Sequence, residues 1–433
     1  MNQVSPASQA AVSFASAFAG FSRDRAGDAA WLREHRELAF ADFVQIGLPT
    51  RKHEDWRYTS LRSLTEGAFS LAPQDVVSAE VLAPHVQAGD ITLVLVNGRL
   101  VTPLEQLGDL PTGLLIAPLA DALSVNVPAA LRLLKRYATA QQPFSQLNEA
   151  FLGSGLFIEW GPRVTCERRI HIIHIGSGKD RLVTLPRHML VLGSEAKGEV
   201  VETFVSSDEG TTSFTNTVTD IELAAGAQLD HQRCQLEAPQ ALHIGRVRAE
   251  LAAAAKLTSL SLSAGAKLAR IDIDIGLAGQ GSEVILNGLY LTREGQHVDH
   301  HTVVDHQVPN AKSRQLYKGI LDGVSRAVFN GVVRVRRDAQ LTQAYQMNRN
   351  LLLSSDAEID TKPELQIDAD DVKCSHGASV GQLNDDQLFY LTSRGLPPTE
   401  ARRMLVQAFA DDVMLHAPRL HATLRPLTMG YFL

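Results

Sequence analysis

Cys374 and His376 stand two residues apart in Lys373-Cys374-Ser375-His376-Gly377, so one of only three cysteines in 433 residues is set beside an imidazole. In an extended strand, side chains at i and i+2 lean to one face, roughly 7 Å apart. A thiolate and an imidazole so placed suit soft or borderline metals, including iron in sulfur clusters. The plainer alternative is an inert, buried thiol beside a structural histidine. A second concentration is His297-Val298-Asp299-His300-His301-Thr302-Val303-Val304-Asp305-His306. Strand alternation groups Asp299 with His297 and His301, and His300 with Thr302 and His306. Carboxylate and imidazole could hold iron or zinc there, with His300 and His301 as candidate ligands beside His376. Against that stands a strand whose polar face is exposed or hydrogen-bonded within the fold. An iron–sulfur cluster usually takes about four protein ligands. Cys166, Cys234 and Cys374 are too scattered to supply them, so a cluster role requires ligands from a second chain.

Several chemistries are missing. Gly176-Ser177-Gly178-Lys179-Asp180 lacks the first glycine and the hydroxyl residue of a phosphate-binding loop, so any nucleotide hydrolysis falls to another subunit. His53-Glu54-Asp55-Trp56-Arg57 begins like a zincin helix but has no second histidine at the required spacing. No Cys-x-x-Cys occurs, which excludes a self-contained zinc ribbon or dithiol site. The net charge of −7 gives no basic stripe for a nucleic acid, and no nucleic-acid partner is expected. Few, odd-numbered cysteines point to a reducing compartment. No apolar run approaches the roughly 18 residues of a membrane span, and the N-terminal Ala/Ser/Phe-rich stretch reads as an amphipathic helix rather than a signal. The expected location is the cytoplasm, away from membranes.

The elements that must position these residues fall into three regions. Residues 1–154 read as mostly helical, with a helix over 29–46, further helical stretches over 118–138 and 146–152, and a hairpin at Ile91 to Val96 closed by Asn97-Gly98. From 155 to 382 short β runs follow one another. Between many of them come small-residue corners that resemble each other, such as Ala224-Ala225-Gly226-Ala227 and Ser263-Ala264-Gly265-Ala266. Their spacing is irregular, yet the texture fits a mainly β fold with a parallel β-helix, or solenoid, core better than a barrel. A two-sheet sandwich is the competing architecture. Residues 383–433 return to helix: 387–393, a break at Gly395-Leu396-Pro397-Pro398, then a helix running to His416 with Thr399 as N-cap. Its apolar stripe runs through Met404, Leu405, Ala408, Phe409, Val413 and Met414, and serves either a core or a partner groove.

With those residues in view, the chain resembles the SufB/SufD family of iron–sulfur cluster assembly proteins. The resemblance rests on 374–383 (Cys-Ser-His-Gly-Ala-Ser-Val-Gly-Gln-Leu) and on Gln387-Leu388-Phe389-Tyr390-Leu391 with Ser393-Arg394-Gly395. Further matches are Tyr317-Lys318-Gly319-Ile320, 326–331, 348–354, 359–363 and the N-terminal Glu54-Asp55-Trp56-Arg57-Tyr58-Thr59. It is dense over 297–405 and looser elsewhere, and Ser379 stands where threonine is expected. The Cys-Ser-His-Gly form points to the branch that pairs with SufB.

The resemblance implies a right-handed parallel β-helix between N- and C-terminal helical regions. It also implies pairing with SufB through the β-helix cores, and docking of the ATPase SufC by the C-terminal helices. A transient Fe–S cluster shared with the partner chain would then form beside His376, with Cys374 as the second candidate. Leu388, Phe389, Tyr390, Arg394, Arg402, Met404 and Phe409 are the candidate docking residues. A reduced flavin in the complex is implied too, with no motif to locate it. The chain would be a non-catalytic assembly subunit; when isolated, a homodimer is a further expected state.

The rival class is an enzyme. It would be either a carbohydrate-active β-helix protein, for which neither clustered carboxylates nor an export signal stands out, or a metal-dependent enzyme built on the 297–306 histidines.

Overall fold

The computed structural model describes residues 5–137, 142–178 and 181–414. The expected helical residues Ala138 and 415–416, with 417–433 and Lys179-Asp180, lie outside the described residues, as does the side chain of Met414. Two long, mainly parallel sheets dominate. One, sheet A, steps from Leu114–Pro118 and Gly155–Trp160 through Arg187–Leu192, Ser213–Leu223, Leu242–Leu251, Leu268–Leu277, His297–His306 and Arg326–Val335 to Glu358–Ile367. The other, sheet B, runs from Ile91–Val96 and Ile170–Gly176 through Lys197–Ser206, Gln228–Gln235, Lys256–Ser263, Glu283–Thr292, Lys312–Leu321 and Gln343–Leu352 to Lys373–Gly381. The chain alternates between the sheets, making a β-solenoid of about 8 turns with helices at both termini. The solenoid displaces the sandwich reading, because from Gly155–Trp160 and Ile170–Gly176 onward the strand pairs are parallel and in register.

The corners explain why no strict repeat shows in the sequence. Glu195, Gly226, Ala254, Gly281, Asn310 and Leu341 all have φ between 56° and 73°. Each sits two residues before a strand of sheet B. The next residue, Ala196, Ala227, Ala255, Ser282, Ala311 or Thr342, is fully buried and small. A left-handed residue turns the chain sharply between sheets, and stacked corners leave no room for a larger side chain beneath it. The repeat is one of conformation and size. Since even glutamate and leucine take the left-handed place, identity is not repeated.

The expected hairpin forms, with Asn97 at φ 51° and Gly98 at φ 79°. Its first strand does more: Ile91–Val96 pairs in parallel with Ile170–Gly176 and begins sheet B. Helices Pro6–Asp24, Ala30–Ile46 and Pro143–Ala150 bury an aromatic cluster of Phe14, Phe43, Phe69 and Phe144 against Phe214 of sheet A.

At the other end, helix Asp385–Ser393 is capped by Asn384, whose side chain accepts from the Gln387 amide at 3.1 Å. The last helix, Pro398–Met414, lies on the outer face of sheet B. It begins at Pro398, so Thr399 is inside the first turn and not the cap; proline's fixed φ suits that first position. Its buried side is Val406, Ala410 and Val413, packed on Leu260, Leu262, Leu289, Leu291 and Ile320. The helix is therefore rotated relative to the expected stripe, leaving Met404 55% exposed.

Candidate functional site at the open end of the solenoid

Both sheets stop at the same end of the molecule. Glu358–Ile367 closes sheet A and Lys373–Gly381 closes sheet B, each with one hydrogen-bonded neighbour. Their outward N–H and C=O groups form two adjacent sheet edges, a template for strand addition. Burial falls away here: Gln343–Leu352 still carries buried positions, whereas in Lys373–Gly381 none is fully buried.

Cys374 and His376 are both on this last strand, in register with Ala344 and Gln346. Cys374 packs against the interior cluster of Val333, Val335, Ala339, Ala344 and Ala369. Alternation therefore places His376 on the same inward row, at the mouth of the lumen. Burial pushes the Cys374 thiol up from its ordinary value, with the Ala344 backbone hydrogen bond opposing. It is a neutral thiol at neutral pH and has to release a proton to bind metal. His376 is exposed and also borders a groove of about 570 Å³ at this end, lined by Gln315 and Gln346 together with Tyr345, Met347, Arg349 and Asp412.

The C-terminal candidates divide into two groups. Phe389, Tyr390 and Met404 are 75%, 57% and 55% exposed. Arg394 lies 5.3 Å over the Tyr390 ring, and Leu388 is half-buried. Arg402 and Phe409 hold the last helix to the solenoid. Arg402 donates to the Leu353 carbonyl at 2.8 Å, and Lys318 sits 4.3 Å over the Phe409 ring. Lys318, only 3% exposed, also donates to the Phe409 carbonyl at 3.0 Å and pairs with Asp412 at 2.6 Å.

The 297–306 strand does not bring its histidines together. His300 enters the lumen and bonds Ser263 Oγ at 2.9 Å; His306 does the same with Ser313 at 2.8 Å. His301 is on the opposite face, 2.9 Å from Asp299. Asp299 also accepts from Thr59 at 2.6 Å and pairs with Arg270 at 2.8 Å. His300 and His301 thus point to opposite sides of one sheet and cannot share an ion. Burial pushes the His300 imidazole down to about 3 and His306 to about 4.

Sequence reading missed a buried polar centre deeper in the lumen. One ligand atom each from His174, His188 and Glu202 lies within 4.8 Å of the others. Hydrogen bonding decides against a metal there. The Leu156 amide donates to His188 Nδ1 at 3.1 Å, which puts the proton of the neutral ring on Nε2, 3.1 Å from His174 Nε2. A metal on His188 Nε2 would force that proton onto Nδ1, against an N–H. Glu202 is already taken by His231 at 2.8 Å and Arg233 at 3.4 Å. Burial opposes its charge, but these two partners hold its carboxyl well below the usual range. No sequence spacing announces this centre; only the sheet-to-sheet register assembles it.

The fold and its open end define a class: a parallel β-solenoid finished by two edge strands, with a helical hairpin folded beside them. The model of the SufBD core domain, described as SUF system FeS cluster assembly, matches residues 174–409, and that of the SufBD N-terminal region matches 22–172. The chain belongs to the SufBD family. It is 33% identical over 373 residues to the iron–sulfur cluster assembly protein SufD of Escherichia coli, covering 86% of this chain and 85% of that protein. A SufBD family cluster assembly protein of Synechocystis is 32% identical over 386 residues, covering 86% and 84%. SufD of Bacillus subtilis is 22% identical over 412 residues, covering 90% and 91%.

Proposed function

We infer that this chain is a non-catalytic scaffold subunit of an iron–sulfur cluster assembly complex. Its open end pairs with a SufB-type chain, and a nascent cluster forms between the two beside His376, with Cys374 as the second protein ligand. The observation that carries this reading is the pair of free strand edges at one end, with Cys374 and His376 on the inward row of Lys373–Gly381. Edge strands supply the backbone hydrogen bonds, and the partner supplies the thiolates this chain lacks. A SufC-type ATPase docks on the exposed face of Phe389, Tyr390, Arg394 and Met404. Among the described residues no helix is long and apolar enough to cross a membrane, and three unpaired thiols suit the cytoplasm.

The test is His376→Ala in the co-expressed complex, followed by anaerobic reconstitution. The complex should purify intact while the visible absorbance of the cluster falls several-fold. Undiminished cluster formation would remove His376 from the site.

A further inference from the structure

One buried side chain at the solenoid mouth has nothing to bond. Gln346 is 2% exposed, and neither its carboxamide oxygen nor its nitrogen has a hydrogen-bond partner among the described residues. Below it in the same inward column is Gln315, also 2% exposed, whose oxygen accepts from Thr302 at 2.8 Å while its nitrogen is unpartnered. One coil further down the column is Leu286, and directly above Gln346 is His376. Leu286 thus separates this polar run, which reaches the imidazole, from Ser259 and His231 lower in the same column.

In the neighbouring column the amides are satisfied. Asn348 donates to Tyr290 Oη at 2.9 Å and accepts from Asn350 at 2.6 Å and from Thr361 at 2.8 Å. Across from Gln346, Gly331 is the residue that admits its amide: a Cβ there would overlap the Gln346 nitrogen. Gln346 also lines the groove that His376 borders, so its free amide stands at the same open end as the imidazole.

We propose that Gln346 is the positioning residue for His376. When a partner chain covers the open end, the His376 ring turns inward and donates one N–H to the Gln346 carboxamide oxygen, leaving the other ring nitrogen, lone pair outward, for iron. In-register side chains on adjacent strands are about 4.8 Å apart at the backbone, within reach of that contact. A hydrogen bond to one ring nitrogen sets which one binds metal, the usual task of a residue behind a histidine ligand. This rests on the role given to His376 above.

The experiment is a double-mutant cycle in the reconstituted complex, reading cluster absorbance with Gln346→Leu, His376→Ala and both together. Gln346→Glu keeps an acceptor at the same reach. Gln346→Leu should lower cluster yield several-fold with the complex intact, Gln346→Glu should retain most of it, and the double variant should be no worse than His376→Ala. Additive losses, or equal failure of Gln346→Leu and Gln346→Glu in well-folded complexes, would mean Gln346 serves packing alone and overturn the proposal. Normal clusters in His376→Ala would instead overturn the reading of His376. A loss in His376→Ala with none in Gln346→Leu would leave that reading standing and sink the role of Gln346.

Discussion

The guanidinium of Arg270 sits 3.8 Å over the ring of Trp56, a residue more than 200 positions earlier in the chain. The same Arg270 pairs with Asp299 and Asp272, each at 2.8 Å, and donates to the Asp55 carbonyl at 2.6 Å. The Glu-Asp-Trp-Arg-Tyr motif is therefore a clamp between the N-terminal region and sheet A. Asp299 is 1% exposed. Removing one partner of a buried pair typically costs about 3–5 kcal/mol, because the other charge is left uncompensated. Asp299→Ala should lower denaturant stability by about that much; a loss below about 1 kcal/mol would show that the clamp is not held by charge.

Acid should weaken the fold well before ordinary carboxylates titrate. Burial pushes His188 down from 6.5 to about 4, and His300 and His306 are lowered in the same way. Above about pH 6.5 these groups are neutral in both states and cost nothing. As pH falls below that, the unfolded chain takes up protons that the folded chain refuses, so stability declines until the folded values are reached. For His188 the whole window is worth on the order of 3 kcal/mol. Urea unfolding between pH 7.5 and 4.5 should show the slope, and His300→Asn should make it shallower. An unchanged slope would mean that His300 accepts its proton in place.

Two glycines on sheet B are occupied by their neighbours' rings. Gly288 is in register with Tyr317, and Tyr290 with Gly319. A Cβ at Gly288 would overlap the Tyr317 ring, and one at Gly319 the Tyr290 ring. Alanine at either position should cost about 1–3 kcal/mol through overpacking, seen as a lower Tm. Full stability in both variants would contradict the interlocked arrangement.

Lys318 fastens the last helix. Asp412 is 52% exposed, so the pair is partly screened and Lys318→Met should cost about 1–2 kcal/mol. Limited proteolysis should then cut within 398–414 sooner, with the solenoid resistant. Cleavage at the wild-type rate would assign the helix's hold to Val406, Ala410 and Val413 alone.

The solenoid was legible because short β runs and small corners are local signals. The last helix was misplaced by a rotation, since Ala401, Val406 and Ala410 are no more apolar than the residues beside them, and the outer face of sheet B chose among them. Tyr317-Lys318-Gly319 could be quoted as a motif but not explained. The tyrosine needs Gly288, the glycine needs Tyr290, and the lysine needs a helix about 90 residues on. The Cys374–His376 row followed from alternation alone, while the Gln315–Gln346–His376 column required inter-strand register, which no single strand encodes.

Among the described residues, the edge strands at one end of this rod run parallel to their neighbours; at the other, Arg99–Leu100 and Leu114–Pro118 meet theirs antiparallel. In the proposed pairing two such rods meet mouth to mouth, and that meeting uses up both mouths. On that reading growth stops at a pair, where a solenoid joined through both ends would lengthen into a fibre. A composite centre at such a junction would then occur once per pair of rods.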